Sequence, residues 1–347
     1  MLRLHHPDCV TAPATFKPDP LADGAGTHVL DAPLPTEAHI RSATWIDLCY
    51  PTEQERKAVE AALEIELPSK EDMTEIEASS RVYRDGQAQV MNVLLVVGMD
   101  SDKPAEAAVS LILMPQQLIT LRYADPRAFR SLNQSCAKSG PGTDPAQLLM
   151  RLLDHVVDRT ADILERMGGE IDSVSAVVFG RDAPTAIRIS AADLQAILRR
   201  IGNVQFVLNK VHVSLVTLQR ATSFLGTSSA EDGEAKARPG RLQRETLKSI
   251  SRDIQSLSEN SSYMTQNVSF LLDAALGRIS IEQTAIVKIF SVAAVIFLPP
   301  TLVGTVYGMN FNYMPELEWV GGYPLALTLM LLSAVLPYLY FKKRGWL

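Results

Sequence analysis

The sequence predicts a membrane protein of the α+β class, with an N-terminal α/β domain, a long stalk helix and two C-terminal transmembrane helices. From Ile289 to Tyr307 no side chain is charged over about 19 residues, close to the roughly 20 that a helix rising about 1.5 Å per residue needs to cross about 30 Å of hydrocarbon. A second uncharged run of about 19 residues, Tyr323 to Phe341, ends abruptly in Lys342-Lys343-Arg344. Upstream, the apolar spacing changes from a period near 2 to one near 3.6 after Ser139-Gly140-Pro141-Gly142, so a strand-rich region precedes a helical one.

The averages conceal this division. A chain of 347 residues with a formal charge of -6 reads as soluble until one sees that residues 1–280 carry nearly all the charge. That part is long enough for one or two globular domains. Cys9, Cys49 and Cys136 are widely spaced and form no CxxC pattern, which suits a reducing compartment and suggests neither a disulfide framework nor a zinc ribbon. The N-terminus lacks the apolar core of a secretory signal, so the large domain is expected on the side where it is made. The basic cluster after the second run places the C-terminus on that same cytoplasmic side, and residues 308–322 outside.

In chain order, residues 1–40 are rich in Pro, Ala, Gly and His without periodicity, and a flexible lead-in is expected. His5-His6-Pro7-Asp8-Cys9 could be drawn as a metal site, but no second ligand pair stands at zinc-like spacing, so a flexible tail is the reading adopted. Residues 41–240 form the cytoplasmic α/β and helical domain. Ala43 to Leu48 alternates like a strand, and Pro51-Thr52-Glu53-Gln54-Glu55 opens a helix with acids in its first turn. Gln89–Gly98, Ala107–Met114 and Gln117–Tyr123 are further strands, in hairpins of a mixed or antiparallel sheet. Ala146 to Met167 carries an apolar helical stripe, and a second helical run extends from Ser190 to about Phe224. Gly226 to Gly240 reads as a polar loop. From Arg241 to Tyr307 few residues, Gly277, Pro299 and Pro300 foremost, disfavour helix, so one helix of about 67 residues and about 100 Å is expected. Its parts are a stalk, 241–285, and a first span, 286–307. An outer loop, 308–322, a second span, 323–341, and a basic tail, 342–347, follow.

Two spans alone cannot enclose a water-filled path, so conduction would require several chains around an axis. Heptad steps on the first span align Thr284, Ser291, Leu298 and Thr305, with Val287, Ala294 and Thr301 between them, as a narrow face of small, hydroxylated or aliphatic residues. From periodicity alone that face serves a pore lining or close helix packing equally well. The proline pair removes donors to the carbonyls of Val295 and Ile296, and a kink is expected there. The outer loop holds Glu316 and Glu318 but no Lys or Arg, which favours cations. Gly308 permits a tight turn at the helix end, and the amide of Asn310 offers a neutral oxygen. A ring of such oxygens suits hydrated Mg²⁺, which gives up water reluctantly.

Tyr307-Gly308-Met309-Asn310-Phe311, then Met314-Pro315-Glu316-Leu317 and Gly322-Tyr323-Pro324, resemble the signature of the CorA family of magnesium transporters. The resemblance extends to Ile281-Glu282-Gln283, Lys288 to Val292, Phe297 to Val303 and the tail KKRGWL. It covers about a hundred C-terminal residues by motif and the remainder by architecture. It implies a homopentameric funnel in the inner membrane, with first spans lining the pore and Gly308, Met309 and Asn310 as selectivity filter. It also implies Mg²⁺ as substrate and as intracellular regulator, with no prosthetic group. Co²⁺ and Ni²⁺ would be further substrates; membrane lipid would be a partner and nucleic acid would not. Asp253 matches a family position implicated in sensing Mg²⁺, its alternative being a solvated stalk carboxylate. Asp154, Asp158, Asp162, Glu165, Glu170 and Asp172 would face a basic ring of Lys288, Lys342, Lys343 and Arg344. Two departures stand out. Thr284 replaces the Asn usual in close relatives at the cytoplasmic mouth, keeping an oxygen ligand, and Asn312 replaces a common Glu, removing one charge per subunit.

Two other readings compete. A Zn²⁺ transporter of the same superfamily is disfavoured by Met309, since those members often carry another middle filter residue. A membrane-anchored sensor or scaffold would have the same spans without transport. No phosphate loop, HExxH or nucleophile constellation points to an enzyme.

Overall fold

A computed structural model describes residues 1–6, 35–75, 77, 81–101, 103–179, 191–231, 241–310, 315 and 319–346. The chain divides into two units, one of residues 1–182 and 199–270, the other of residues 183–198 and 271–347. The first contains a six-stranded sheet in the order β1-β2-β6-β5-β4-β3. Its strands are β1 (Leu2–His5), β2 (Trp45–Cys49), β3 (Val82–Asp85), β4 (Ala88–Val97), β5 (Ala105–Leu113) and β6 (Leu118–Arg122). β2 and β6 run parallel and every other neighbouring pair is antiparallel, the mixed sheet that the strand spacing predicts.

Each residue of β2 and of β6 is buried, because helices cover both faces of the sheet there. On one face α1 (Glu37–Ser42), α2 (Glu53–Leu63) and α3 (Lys70–Thr74) bring Ile40, Val59, Ala62 and Met73 against Ile46, Leu48, Val90, Ile112 and Leu121. Capping boxes start two of these helices, Thr52 with Glu55 and Ser69 with Asp72, each satisfying backbone donors reciprocally. On the other face lie α4 (Arg127–Ser139) and α5 (Pro145–Phe179), with the Arg122 guanidinium 4.7 Å over the Phe129 ring.

That face also buries an ion pair. Arg122 donates from Nε and Nη2 to the two Asp47 carboxylate oxygens at 2.9 and 2.8 Å, and Thr120 Oγ1 donates to Oδ1 at 2.9 Å. Trp45 Nε1 in turn donates to Thr120 Oγ1 at 3.1 Å. Burial by itself would raise the Asp47 pKa, but the charge and hydrogen bonds of Arg122 outweigh it and hold the carboxyl below its usual range.

The remaining helices are long: α6 (Ala191–Glu231), α7 (Arg241–Tyr307, 67 residues) and α8 (Gly322–Lys343). α6 protects the edge of β4 beyond β3, where Thr217 Oγ1 accepts the Leu94 N–H at 3.0 Å. α7 has the bounds expected from sequence and continues through Pro299 and Pro300. α7 and α8 are both long and apolar enough to cross a membrane.

Two expectations are corrected, and one helix extends beyond its apolar stripe. The flexible lead-in of residues 1–40 contains β1, an edge strand antiparallel to β2, and the start of α1 at Glu37. Leu2 and Leu4 pack against the core, a pattern too short to register as a strand in sequence. His5, drawn with Cys9 as a conceivable metal ligand, instead stacks on Trp45 with centroids 4.4 Å apart, while residues 7–34 lie outside the described residues. The loop expected at residues 226–240 is helical as far as Glu231, the rest lying outside the described residues. Thr227 returns its hydroxyl to the Ser223 and Phe224 carbonyls there, so a polar composition is compatible with helix. Finally, α5 continues past Met167 to Phe179. Gly168 lies within it, where a Cβ would stand at an ordinary contact distance of 3.4 Å from Met264 Cε of α7.

Desolvation at the sheet edge lowers the His5 pKa from 6.5 to about 4. The unfolded chain therefore takes up a proton below pH 6.5 that the folded chain refuses until about pH 4, and stability falls as pH drops through that window. Unfolding of the detergent-solubilised chain, followed by tryptophan fluorescence, should show about 2 kcal/mol less stability at pH 5 than at pH 8 from this group. His5→Phe, which keeps the stack on Trp45, should remove that part of the pH dependence.

Candidate functional site in the two apolar helices

At about 100° per residue, Thr284, Val287, Ser291, Ala294, Leu298, Thr301 and Thr305 fall within an arc of about 100° on α7. All seven are exposed in the single chain. Val292, only 2% exposed, and Gly304 lie outside that arc. A Cβ on Gly304 would come within 2.8 Å of Met330 Cε, the flexible end of a side chain on α8.

The polar members of the seven-residue face share one arrangement. Thr284 donates its hydroxyl to Ser280 O at 2.8 Å and Ser291 to Val287 O at 2.9 Å. Thr301 donates to Phe297 O at 2.7 Å and Thr305 to Thr301 O at 2.8 Å. Each hydroxyl proton is thereby committed to the helix, and what each oxygen offers outward is acceptor capacity. A face of this kind can accept hydrogen bonds from water around a cation while leaving no unpaired donor.

Gly308, Met309 and Asn310 follow the last residue of α7. Gly308 N–H donates to Gly304 O at 3.0 Å and Met309 N–H to Val306 O at 3.3 Å, closing the helix end. A Cβ on Gly308 would stand 3.1 Å from the Gly304 carbonyl, tighter than most real contacts, which explains glycine at this turn. Asn310 is exposed immediately beyond it. The C-terminal end of a helix carries about half a negative charge, so the segment lies where a cation is favoured. Asn312, Glu316 and Glu318 fall outside the described residues.

Asp253 is exposed on α7, in the first unit. It lies near α5: burial, then the charges of Asp158 and Asp253, raise the Asp154 pKa against an opposing effect of His155. Carboxylates from two helices thus repel one another, a juxtaposition invisible in sequence because Asp154 and Asp253 are a hundred residues apart. Among the described residues, no group of three or more His, Cys, Asp or Glu is arranged to hold a metal ion. Of the other α5 carboxylates, Glu170 is gripped by Arg200 at 2.8 Å and Asp162 lies 3.7 Å from Arg159.

The basic residues are not a set of equivalent free charges. Lys288 Nζ donates to the Gly345 carbonyl at 3.3 Å and lies 5.4 Å from the Trp346 ring centre. Arg344 lies over Tyr340 at 5.4 Å and Lys342 over Tyr338 at 6.0 Å, while Lys343 is exposed in the last turn of α8. Sequence reading missed this aromatic partnering, although Gly345 beside Trp346 was a usable turn signal.

Fold and site together define a two-span membrane protein with a mixed α/β unit and a very long helix entering its first span. A family model for the CorA-like Mg²⁺ transporter protein matches residues 41–343, and the chain belongs to that family. It is 35% identical over 309 residues to the magnesium transport protein CorA of Haemophilus ducreyi, covering 89% of this chain and 93% of that one. The Escherichia coli K12 protein of the same name is 35% identical over 308 residues, covering 88% and 92%. Among solved structures, the complete CorA magnesium transporter of Methanocaldococcus jannaschii superposes with a TM-score of 0.70 at 18% identity, covering 88% of this chain and 92% of that one. Full-length CmaX superposes with a TM-score of 0.62 at 14% identity, covering 87% and 88%. At these identities the structural likenesses speak for the fold.

The contact at Gly304 has a measurable consequence. Gly304→Ala should be tolerated because the flexible end of Met330 can move, whereas Gly304→Leu should overpack the span pair at a cost of about 1–3 kcal/mol. Thermal unfolding in one detergent should separate the two variants, and Gly304→Leu with Met330→Ala should recover part of the loss.

Proposed function

We propose that this chain is a channel-like transporter admitting Mg²⁺, and also Co²⁺ or Ni²⁺, across the cytoplasmic (inner) membrane as a homopentamer gated by intracellular Mg²⁺. The observation that carries the reading is the exposed α7 face from Thr284 to Thr305, whose hydroxyls donate to helix carbonyls and offer only acceptors outward, and which ends at the Gly308-Met309-Asn310 segment. Two helices cannot surround water, so several copies of that face must converge on an axis. Gly308, Met309 and Asn310 then form the outer filter, where the amide oxygen of Asn310 holds the ion through its water. Glu316 and Glu318 raise the local cation concentration at the mouth.

In this reading residues 241–285 form the stalk, 286–307 the pore-lining span, 308–322 the outer loop and 323–341 the second span, with both termini cytoplasmic. The relatives' names as magnesium transport proteins support Mg²⁺ as the substrate. An inside-negative potential assists entry by about 4.6 kcal/mol per 100 mV for a divalent ion. Intracellular Mg²⁺ acts on the stalk at Asp253, where it relieves repulsion with Asp154 and so favours the conformation in which these helices lie together.

Asn310→Ala should lower Mg²⁺ uptake into proteoliposomes by about tenfold or more, with membrane insertion unchanged, since that factor corresponds to about 1.4 kcal/mol. A sensor or scaffold without transport predicts no difference between the variant and the parent chain.

A further inference from the structure

The end of α8 is built as a complete turn. Arg344 N–H donates to Tyr340 O at 3.1 Å, Gly345 N–H to Lys342 O at 3.2 Å and Trp346 N–H to Phe341 O at 3.0 Å. The last two bonds have the spacing of a Schellman motif, which places a left-handed residue just past the helix end. Gly345 takes that role at φ +68. A Cβ there would meet nothing within 4 Å, so glycine is required by backbone conformation and not by space. The turn swings Trp346 back over Phe341, with ring centres 5.4 Å apart and planes at 26°.

Lys288, from the other span, meets this turn twice. Its ammonium donates to the Gly345 carbonyl at 3.3 Å, an oxygen that the turn itself leaves unused, and stands 5.4 Å from the Trp346 ring centre, within cation–π range. Lys288 adjoins Val287 and is one helical turn from Thr284, at the stalk end of the seven-residue face. A long cationic side chain at this position thus finds a carbonyl dipole and an aromatic face, with Phe341 supporting the ring from α8.

We propose that Lys288 and the Gly345-Trp346 turn form a clasp that fixes the base of the first span to the end of the second. Lys288 is then a positioning residue, and its charge serves the tail turn more than a shared cationic ring. Any movement of Thr284 and Val287 relative to α8 must carry the tail along or open the clasp. The effect on transport rests on the function proposed above, whereas the clasp itself can be read without transport.

The experiment uses the full chain in lipid nanodiscs, labelled with 5-fluorotryptophan. Its three tryptophans give three ¹⁹F signals, and the loss of one in Trp346→Phe assigns Trp346. Lys288→Gln should shift the Trp346 signal and leave those of Trp45 and Trp319 in place, while Lys288→Arg, which keeps a cation able to lie on the ring, should shift it much less. In proteoliposomes, Lys288→Gln and Trp346→Ala should each change the Mg²⁺ uptake rate severalfold, and the double variant should change it no further than one of them. An unmoved Trp346 signal in Lys288→Gln would overturn the clasp. A shifted signal with multiplying effects on flux would overturn its positioning role, and a shifted signal in a chain that carries no Mg²⁺ would instead count against the proposed function.

Discussion

The constraint on which this structure depends is that hydrocarbon offers no hydrogen bonds. Once about 19 consecutive residues from Ile289 carry no charge, their backbone must satisfy itself, and helix is the form open to a chain with two spans. The same rule explains smaller choices. Hydroxyls on the first span return their protons to carbonyls one turn earlier, and the carbonyls ending the second span are taken by the turn at Gly345. At Gly304 the missing side chain leaves room for the end of Met330 from the second span, and such packing matters because lipid supplies little net drive for helix association.

The unit that contains the sheet faces a different problem. Burying Asp47 and Arg122 removes two charges from water, a cost that their attraction offsets only when every remaining site on both groups is well paired. Thr120, the Ala124 carbonyl and Asp125 supply much of that pairing, and Trp45 extends the network through Thr120. Because Asp47 sits on β2 and both Thr120 and Arg122 on β6, the pair is satisfied in one register of the parallel strands. A shift by one residue would turn Arg122 to the opposite face. The network is satisfied in this register and would lose its pairing in a shifted one.

Much of this was legible because the signals were long. The 67-residue helix needed only the scarcity of Gly and Pro between Arg241 and Tyr307, and the two spans needed only the absence of charge. Short elements carried too few residues to announce themselves, as with Leu2–His5, whose strand exists because β2 offers it a ladder. Gly226 was misleading for the opposite reason, since one glycine lowers helix propensity by only about 1 kcal/mol and does not by itself end a long helix. At the candidate site, the heptad spacing from Thr284 to Thr305 was visible, but the direction of the hydroxyl bonds was not. The meeting of Asp253 with Asp154, and of Lys288 with Trp346, depends on which helices pack together, and no local pattern encodes that.

The unit with the sheet, the long helix α7 and the Gly308-Met309-Asn310 segment make one functional account only if ions cross along α7. The most direct test is Mg²⁺ uptake by the unmodified chain in proteoliposomes whose potential is set by a potassium gradient and valinomycin. The account predicts uptake that increases as the interior is made more negative and weakens when the gradient is reversed, as expected of a divalent charge crossing the field. Correctly inserted protein that moves no Mg²⁺ at any potential, or moves it at a rate indifferent to potential, would contradict it.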